Sequence, residues 1–398
     1  MPRLPAPLRP LYPYLQPAYV HLNRVIAPAT VRLSRGVLPT GTVWTMEEAA
    51  ETSGGRCVEA RPPETIVRPP FLGWPADMQP LEPATDTEIP RLAVTELPGG
   101  RVLGRSRALI TGRGDLVWEL SHYFGTTHPR QHPVFTNPFP GPPREVEGRL
   151  GLLASRGDVN YYHFLIDVLP RLGVLEQAPD IERPERWYVP AQTKFQRQLL
   201  DMVGITEDKR INADEVPHVR AECLVVPSLP SVVKEKNPPW VVEYLRGRLM
   251  KDMEPPVERR PLYITRSAGT NDRAVVDEAK LIDFLKDRGF DVIDPSQLTV
   301  ADQIRAFASA SVIVSPHGAA LANLVFATPG ATVIELFPPS SVLPDYWRLA
   351  SSAGVTYRYL STWSRHRHYN RGKTIVTDIE VDLPALAAAL DEVGASTT

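Results

Sequence analysis

The sequence predicts an α/β protein with a doubly wound parallel sheet in its C-terminal half and a small antiparallel meander nearer its N-terminus. Between Pro261 and Leu336, apolar runs of strand length alternate with amphipathic stretches of helical period. Between Leu92 and Leu120 the runs alternate residue by residue and are separated by glycine-rich turns. The chain has 398 residues, more than one simple core holds, so two domains of ordinary size are expected.

Composition narrows the class. At 43% hydrophobic and 23% charged the chain is globular. A net charge of -2 gives no overall attraction to nucleic acid. Two cysteines, Cys57 and Cys223, require no disulfide, which fits a reducing, cytoplasmic setting. No apolar run approaches the roughly 20 residues that span a bilayer. Prolines also interrupt any signal-peptide h-region, so none is expected. The 42 prolines cluster in the first 150 positions, which favours loops and edge strands there.

In chain order, residues 1–58 read as a basic N-terminal extension with one short helix or none. Met1 to Met46 contains no acidic residue, while Arg3, Arg9, Arg24, Arg32 and Arg35 lie among Tyr12, Leu15, Leu22 and Val25. This stretch suits either peripheral contact with an anionic membrane or a basic tail packed on the body. Residues 59–90 look like an irregular proline-rich connector. The meander follows: Leu92–Leu97, Arg101–Leu103, Ala108–Thr111 and Leu116–Leu120, then a strand over Arg149–Ser155. After Asn160 the period becomes helical through Tyr162, Leu165, Ile166, Leu169 and Leu172, with a bend or end near Pro170. Strands at Trp187–Pro190 and Cys223–Val226 flank a helix from Lys194 to Val203, and Trp240–Met250 is a helix. The domain boundary is placed at 250/251.

Beyond it, strands at Pro261–Thr265, Phe290–Ile293, Ser311–Ser315 and Ala331–Leu336 alternate with helices at Asp277–Gly289 and Thr299–Ala310. Thr299 is the expected N-cap and Gly289 the stop. Leu321–Phe326 is short and helical. Residues 366–398 form a loop and a last helix.

Three constellations carry candidate chemistry. The first is Ser315-Pro-His-Gly-Ala-Ala-Leu-Ala-Asn323, at the carboxyl end of a buried strand where doubly wound sheets bind ligands. Gly318 and Ala319 let a ligand approach the backbone, the helix start attracts an anion, and His317 can donate to a phosphate oxygen. A tight turn with a packed histidine is the plainer account. The second is Arg266 with Arg273, which follow the first strand of this sheet and could hold a diphosphate, or could be two surface arginines. Glu335 could accept from ribose hydroxyls or serve the next helix. The third is Gly157-Asp-Val-Asn-Tyr-Tyr-His-Phe-Leu-Ile-Asp167, where His163 and Asp167 share a helix face as base and orienting partner. Asp167 could equally pair with Arg171, four residues on. No dinucleotide fingerprint, Walker loop or zinc spacing occurs, and Asp86-Thr-Glu88 is a poor metal motif. His366 and His368, with Arg365 and Arg367, read as a basic strip.

Together these segments resemble glycosyltransferase family 61, the group once labelled a domain of unknown function, which includes bacterial capsular polysaccharide proteins. The resemblance spans roughly residues 90–360 and rests on Asn160–Arg171, Tyr263–Arg266, Arg273 with Asp277-Glu278, Gln303, His317–Asn323 and Glu335. Phe164 and Asp277 stand where tryptophan and asparagine are common. The resemblance implies a GT-B-like fold with two Rossmann-like lobes facing a central cleft. Residues 59–250 would be the acceptor-side lobe and 251–365 the nucleotide-sugar-binding lobe. It implies inverting transfer, usually from a UDP-sugar, to a glycan, glycolipid or exopolysaccharide acceptor, with no bound metal or other cofactor. Asp167 with His163 would be catalytic. Arg266, Arg273, Ser315, His317, Gly318, Ala319, Asn323 and Glu335 would bind the donor. Asn160, Tyr162 and Arg171 would serve the acceptor or the structure. A catalytically inactive nucleotide-sugar-binding scaffold is the alternative. The Arg-, Ala- and Pro-rich composition suggests a bacterial, cytoplasmic protein, docked at the inner face of the membrane if residues 1–46 bind lipid.

Overall fold

The computed structural model describes residues 12–74, 83–230, 236–266, 274–338, 342–361 and 378–394. It forms two compact units, residues 1–64 with 90–234, and residues 65–89 with 235–398.

The first unit is built on a ten-stranded sheet. Its parallel part centres on Arg144–Leu152, flanked by Arg186–Val189 and His218–Pro227, with Arg210–Asn212 outermost. Leu150, Leu224, Val225 and Val226 are fully buried, as an apolar run covered on both faces requires. The meander forms as expected over Arg101–Leu103, Ala108–Ile110 and Asp115–Val117, but it is not a separate module. His218–Pro227 is ten residues long and takes two antiparallel partners in series: Arg101–Leu103 along its first half and Leu92–Pro98 along its second. The turn at Gly99-Gly100 lets one chain supply both.

Residues 12–58 of the N-terminal extension are folded, a correction to the sequence reading. Tyr12–Leu33 is a 22-residue helix despite Pro17 and Pro28 inside it. Each proline removes a backbone donor. Tertiary packing overrides that loss, because Ala27 joins Leu38, Leu103, Ile110, Val134 and Phe135 in one apolar cluster. Further on, Met46–Ser53 is a helix with Thr45 as N-cap and Gly54 as left-handed C-cap at φ 69°. Cys57–Arg61 then pairs with the strand Leu92–Pro98, so no structural boundary falls at 58/59.

The second unit holds six parallel strands in the order Asp291–Ile293, Arg260–Ile264, Ala310–Pro316, Thr332–Phe337, Thr356–Ser361 and Gly73–Trp74. The predicted helices are present as Glu278–Lys286 and Val300–Ala308. Thr299 caps the latter, its Oγ1 accepting from the Asp302 N–H at 3.1 Å. Three assignments change. The proline-rich connector supplies the edge strand Gly73–Trp74, which packs so closely that a Cβ on Gly73 would lie 2.5 Å from the Tyr359 ring. The helix Pro239–Leu249 belongs to this unit, because Arg246 donates to the carbonyls of Val325, Ala327 and Ala353. The boundary therefore falls at 234/235. Finally, Leu386 and Leu390 of the last helix, Leu383–Glu392, share a core with Leu281 and Leu285, so this helix is not an appendage. Among the described residues no helix is long and apolar enough to cross a membrane.

Candidate active site

Parallel pairing puts the ends of Arg260–Ile264, Ala310–Pro316 and Thr332–Phe337 on one carboxyl edge, where Arg266 and His317 follow their strands. The His317 N–H donates to the Leu336 carbonyl at 2.9 Å, extending the ladder by one residue. On the side chain, Nδ1 lies 2.5 Å from Glu335 Oε1. Glu335 is fully buried, and its Oε2 accepts from the Tyr357 hydroxyl at 2.5 Å. Burial, then the Glu335 charge, hold the Tyr357 phenol well above its ordinary pKa, so it stays a donor.

Both Glu335 oxygens are thus engaged inside the fold, which corrects the expectation that it meets a ribose. Its role is to fix the His317 ring. An ionised carboxylate accepts, so the network assigns the Nδ1 proton to this bond, and Nε2 is the ring nitrogen outside it. Phe337 stacks on the ring at 5.0 Å and Tyr346 tilts against it at 5.3 Å.

Arg266 joins this cluster, its Nη1 donating to the His317 carbonyl at 2.6 Å. Gly318 matters here for space. Its φ of 177° is extended and open to any residue, but a Cβ would come within 3.3 Å of Arg266 Nη1. The Ala319–Phe326 segment is a 3-10 helix and not an α-helix, so its N-terminal dipole is less well aligned. At this edge the side chains of Arg266 and His317 therefore offer more to an anion than the helix start does. Ala319 opens this helix.

Two expected ligand contacts are bracing residues instead. Ser315 is buried within the sheet, with its Oγ on the Pro316 carbonyl at 3.0 Å. Asn323 is fully buried and donates to Gln303 Oε1 at 3.0 Å and to the Ala320 carbonyl at 3.1 Å, tying the 3-10 turn to the neighbouring helix. Thr265 and Tyr263 both donate to Glu278, which anchors the strand end before Arg266. Arg273 and the strip Arg365–His368 lie outside the described residues.

The first unit holds the other pair. Asn160 caps the helix start by accepting from the Tyr162 N–H at 2.9 Å. After His163 the helix widens into a π-turn over Phe164–Val168, marked by the Leu169 N–H donating to the Phe164 carbonyl at 3.1 Å. Such turns often sit at functional sites. His163 Nδ1 lies 2.8 Å from Asp167 Oδ2, with 18% and 15% of the two side chains exposed. The Asp167–Arg171 ion pair considered from the sequence does not form. Arg171 turns into the core and donates to the carbonyls of Pro227 and Ala154, both at 2.8 Å. Burial lowers its pKa, with the Asp167 charge acting against that. Tyr162, next to His163 in sequence, is buried with its ring edge-on to the His163 ring at 5.3 Å.

Around this pair, Phe124, Arg156 and Arg107 were missed in the sequence, and Gly157, the first residue of the segment singled out there, had been given no role. Gly157 is left-handed at φ 76°, and a Cβ there would lie 2.9 Å from the His163 ring. Phe124 tilts against His163 at 5.6 Å and is 37% exposed, with the Arg156 guanidinium 4.6 Å from its centroid. Arg107, on the turn after Arg101–Leu103, binds the loop that precedes His163. The only hints were a glycine after a strand and an aromatic run, Tyr123-Phe124. Among the described residues no three His, Cys, Asp or Glu side chains gather as a metal site.

Residues 161–334 match the family model described as Glycosyltransferase 61, under half of the chain. The match contains His163, Asp167, Arg266, His317 and Gly318 and stops one residue before Glu335. Over 106 residues the chain is 34% identical to protein O-linked-mannose beta-1,4-N-acetylglucosaminyltransferase 2 of Mus musculus, covering 25% of this chain and 18% of that protein. The Homo sapiens protein of the same name is 35% identical over 107 residues, with the same shares. Beta-1,2-xylosyltransferase of Arabidopsis thaliana is 36% identical over 62 residues, 16% of this chain and 12% of that one. The chain therefore matches less than a fifth of the length of these relatives. The mixed α/β fold, the family match and the relatives' names support a glycosyltransferase.

Proposed function

We propose that this protein is an inverting, metal-independent glycosyltransferase that moves a sugar from a UDP-sugar to a glycan, glycolipid or polysaccharide acceptor. The observation that supports it most is the Arg266–His317–Gly318 cluster at the carboxyl edge of a parallel sheet, inside the family-matched segment. In transfer, an acceptor hydroxyl oxygen bonds to the anomeric carbon as the bond to the UDP oxygen breaks, inverting the configuration. A base takes the hydroxyl proton, and UDP leaves with added negative charge. Arg266 and His317, the latter donating from Nε2 when doubly protonated, meet that charge, with Arg273 as a further cation. Glu335 is a poor base because both oxygens are engaged. Asp167, oriented by His163, is the assigned base, and Phe124 offers a ring face for the acceptor sugar. The GT-B arrangement and a bacterial, cytoplasmic setting are part of the same proposal and rest on the resemblance and on composition.

Calorimetry tests the donor site. Arg266→Ala and His317→Ala should each weaken UDP binding by about tenfold or more, the size expected for a lost charged hydrogen bond. Unchanged affinity in both variants would remove the site.

A further inference from the structure

The N-terminal helix Tyr12–Leu33 presents three distinct faces. Asn23, Ala27, Thr30 and Ser34 point inward and are buried. Leu15, Ala18, Leu22, Val25, Ala29 and Leu33 recur every three or four residues and are exposed, Leu22 by 54% and Val25 by 62%. Half-buried Tyr19 and Ile26 continue this apolar sector toward the body. At 100° per residue it spans roughly 120°, wider than the two-position seam of a coiled coil. Its outer flank carries His21, Arg24, Arg32 and, just past the helix, Arg35, all exposed. Exposed Arg130 lies on the 3-10 turn Pro129–Gln131, which meets the helix where Asn23 donates to the Gln131 carbonyl at 3.3 Å. Burial first, then the charges of Arg24 and Arg130, pull His128 below its ordinary pKa.

We propose that this helix lies on an anionic lipid bilayer, with Leu22 and Val25 entering the acyl boundary and the arginines meeting headgroup phosphates. The charge pattern selects this occupant. No acidic residue occurs from Met1 to Met46, so a second copy would bring like charges together with nothing to pair them. A wide apolar sector beside a basic flank is the pattern of an interfacial helix. Each basic residue near such a surface raises affinity about fivefold, so binding should fall steeply with salt. The inference stands apart from the sugar chemistry.

Flotation of the full-length protein with vesicles tests it. Binding is expected to vesicles of phosphatidylcholine with about one third phosphatidylglycerol, and not to phosphatidylcholine alone. Leu22→Glu with Val25→Glu, and separately Arg24→Glu with Arg32→Glu, should each reduce binding about tenfold or more. All four side chains are exposed, so the melting temperature should hold, and that is checked first. Absence of binding to anionic vesicles at low salt would overturn the proposal. So would equal binding by the Leu22/Val25 variant, or a dimer in sedimentation that this variant abolishes, which would assign the face to a second copy.

Discussion

Asp167→Asn is expected to lower glycosyl transfer by about 10²-fold or more, the usual worth of a positioned general base. Asparagine keeps the size of the side chain, and its Oδ1 can still accept from His163 Nδ1, so the 2.8 Å contact and the π-turn should persist. What it cannot do is take a proton. UDP affinity, which the proposed mechanism places on Arg266 and His317, should therefore stay within about twofold while kcat falls. An unchanged first unfolding transition separates a base from a structural residue, because a disrupted helix would destabilise the unit that holds Asp167 whereas loss of a proton acceptor would not. Near-normal turnover by the variant would sink Asp167 as the base and move the role to His163.

The largest effect on stability is expected from Arg107→Met. Arg107 is buried at a left-handed position, φ 54°, held there by its own guanidinium. Nε donates to Asp158 at 2.9 Å, and Nη1 and Nη2 donate to the Ala213 carbonyl and Asp214 at 2.7 Å. Asp158 in turn accepts from the Ser155 N–H at 3.2 Å, and its own carbonyl accepts from Gln196. Burial pushes the Asp158 carboxyl above its ordinary range, against the Arg107 charge and hydrogen bonds that pull it down. Methionine removes that pull and leaves a buried carboxylate beside a second one. Breaking such a group from one side costs about 3–5 kcal/mol.

The sign of the pH dependence follows. With its folded pKa raised further above the unfolded value, Asp158 binds a proton in the folded state that the unfolded chain lacks. The variant should thus be least stable at neutral pH and regain stability, relative to wild type, as pH falls toward 5. Urea unfolding at both pH values checks this, following the first transition, since two units need not unfold together. A deficit below about 1 kcal/mol at pH 7, or one that grows on acidification, would contradict the account.

These two residues mark how far the sequence was legible. Asp167 and His163 were visible because helical spacing brings residues four apart together, and that local rule survives the π-turn. Arg107 was not, since its partners Asp158 and Asp214 are 51 and 107 positions away and meet it only through the sheet order. The same division runs through the second unit. The parallel strands and the Thr299 cap follow from local pattern. The bracing roles of Ser315, Glu335 and Asn323 do not, because a polar residue near a strand's carboxyl end or in the turn that follows looks the same whether it faces a ligand or the core. Tyr357, which fixes Glu335, lies on a later strand and gave no signal at all. The N-terminal helix was hidden for another reason, since its two prolines oppose local helix propensity and only packing restores it.

The most direct measurement is release of UDP from a panel of UDP-sugars by the wild-type protein in EDTA, with candidate glycan acceptors present. The account predicts acceptor-dependent release from at least one UDP-sugar, undiminished by the chelator and lost in His317→Ala. No release from any sugar, or release that EDTA abolishes and a divalent ion restores, would contradict it.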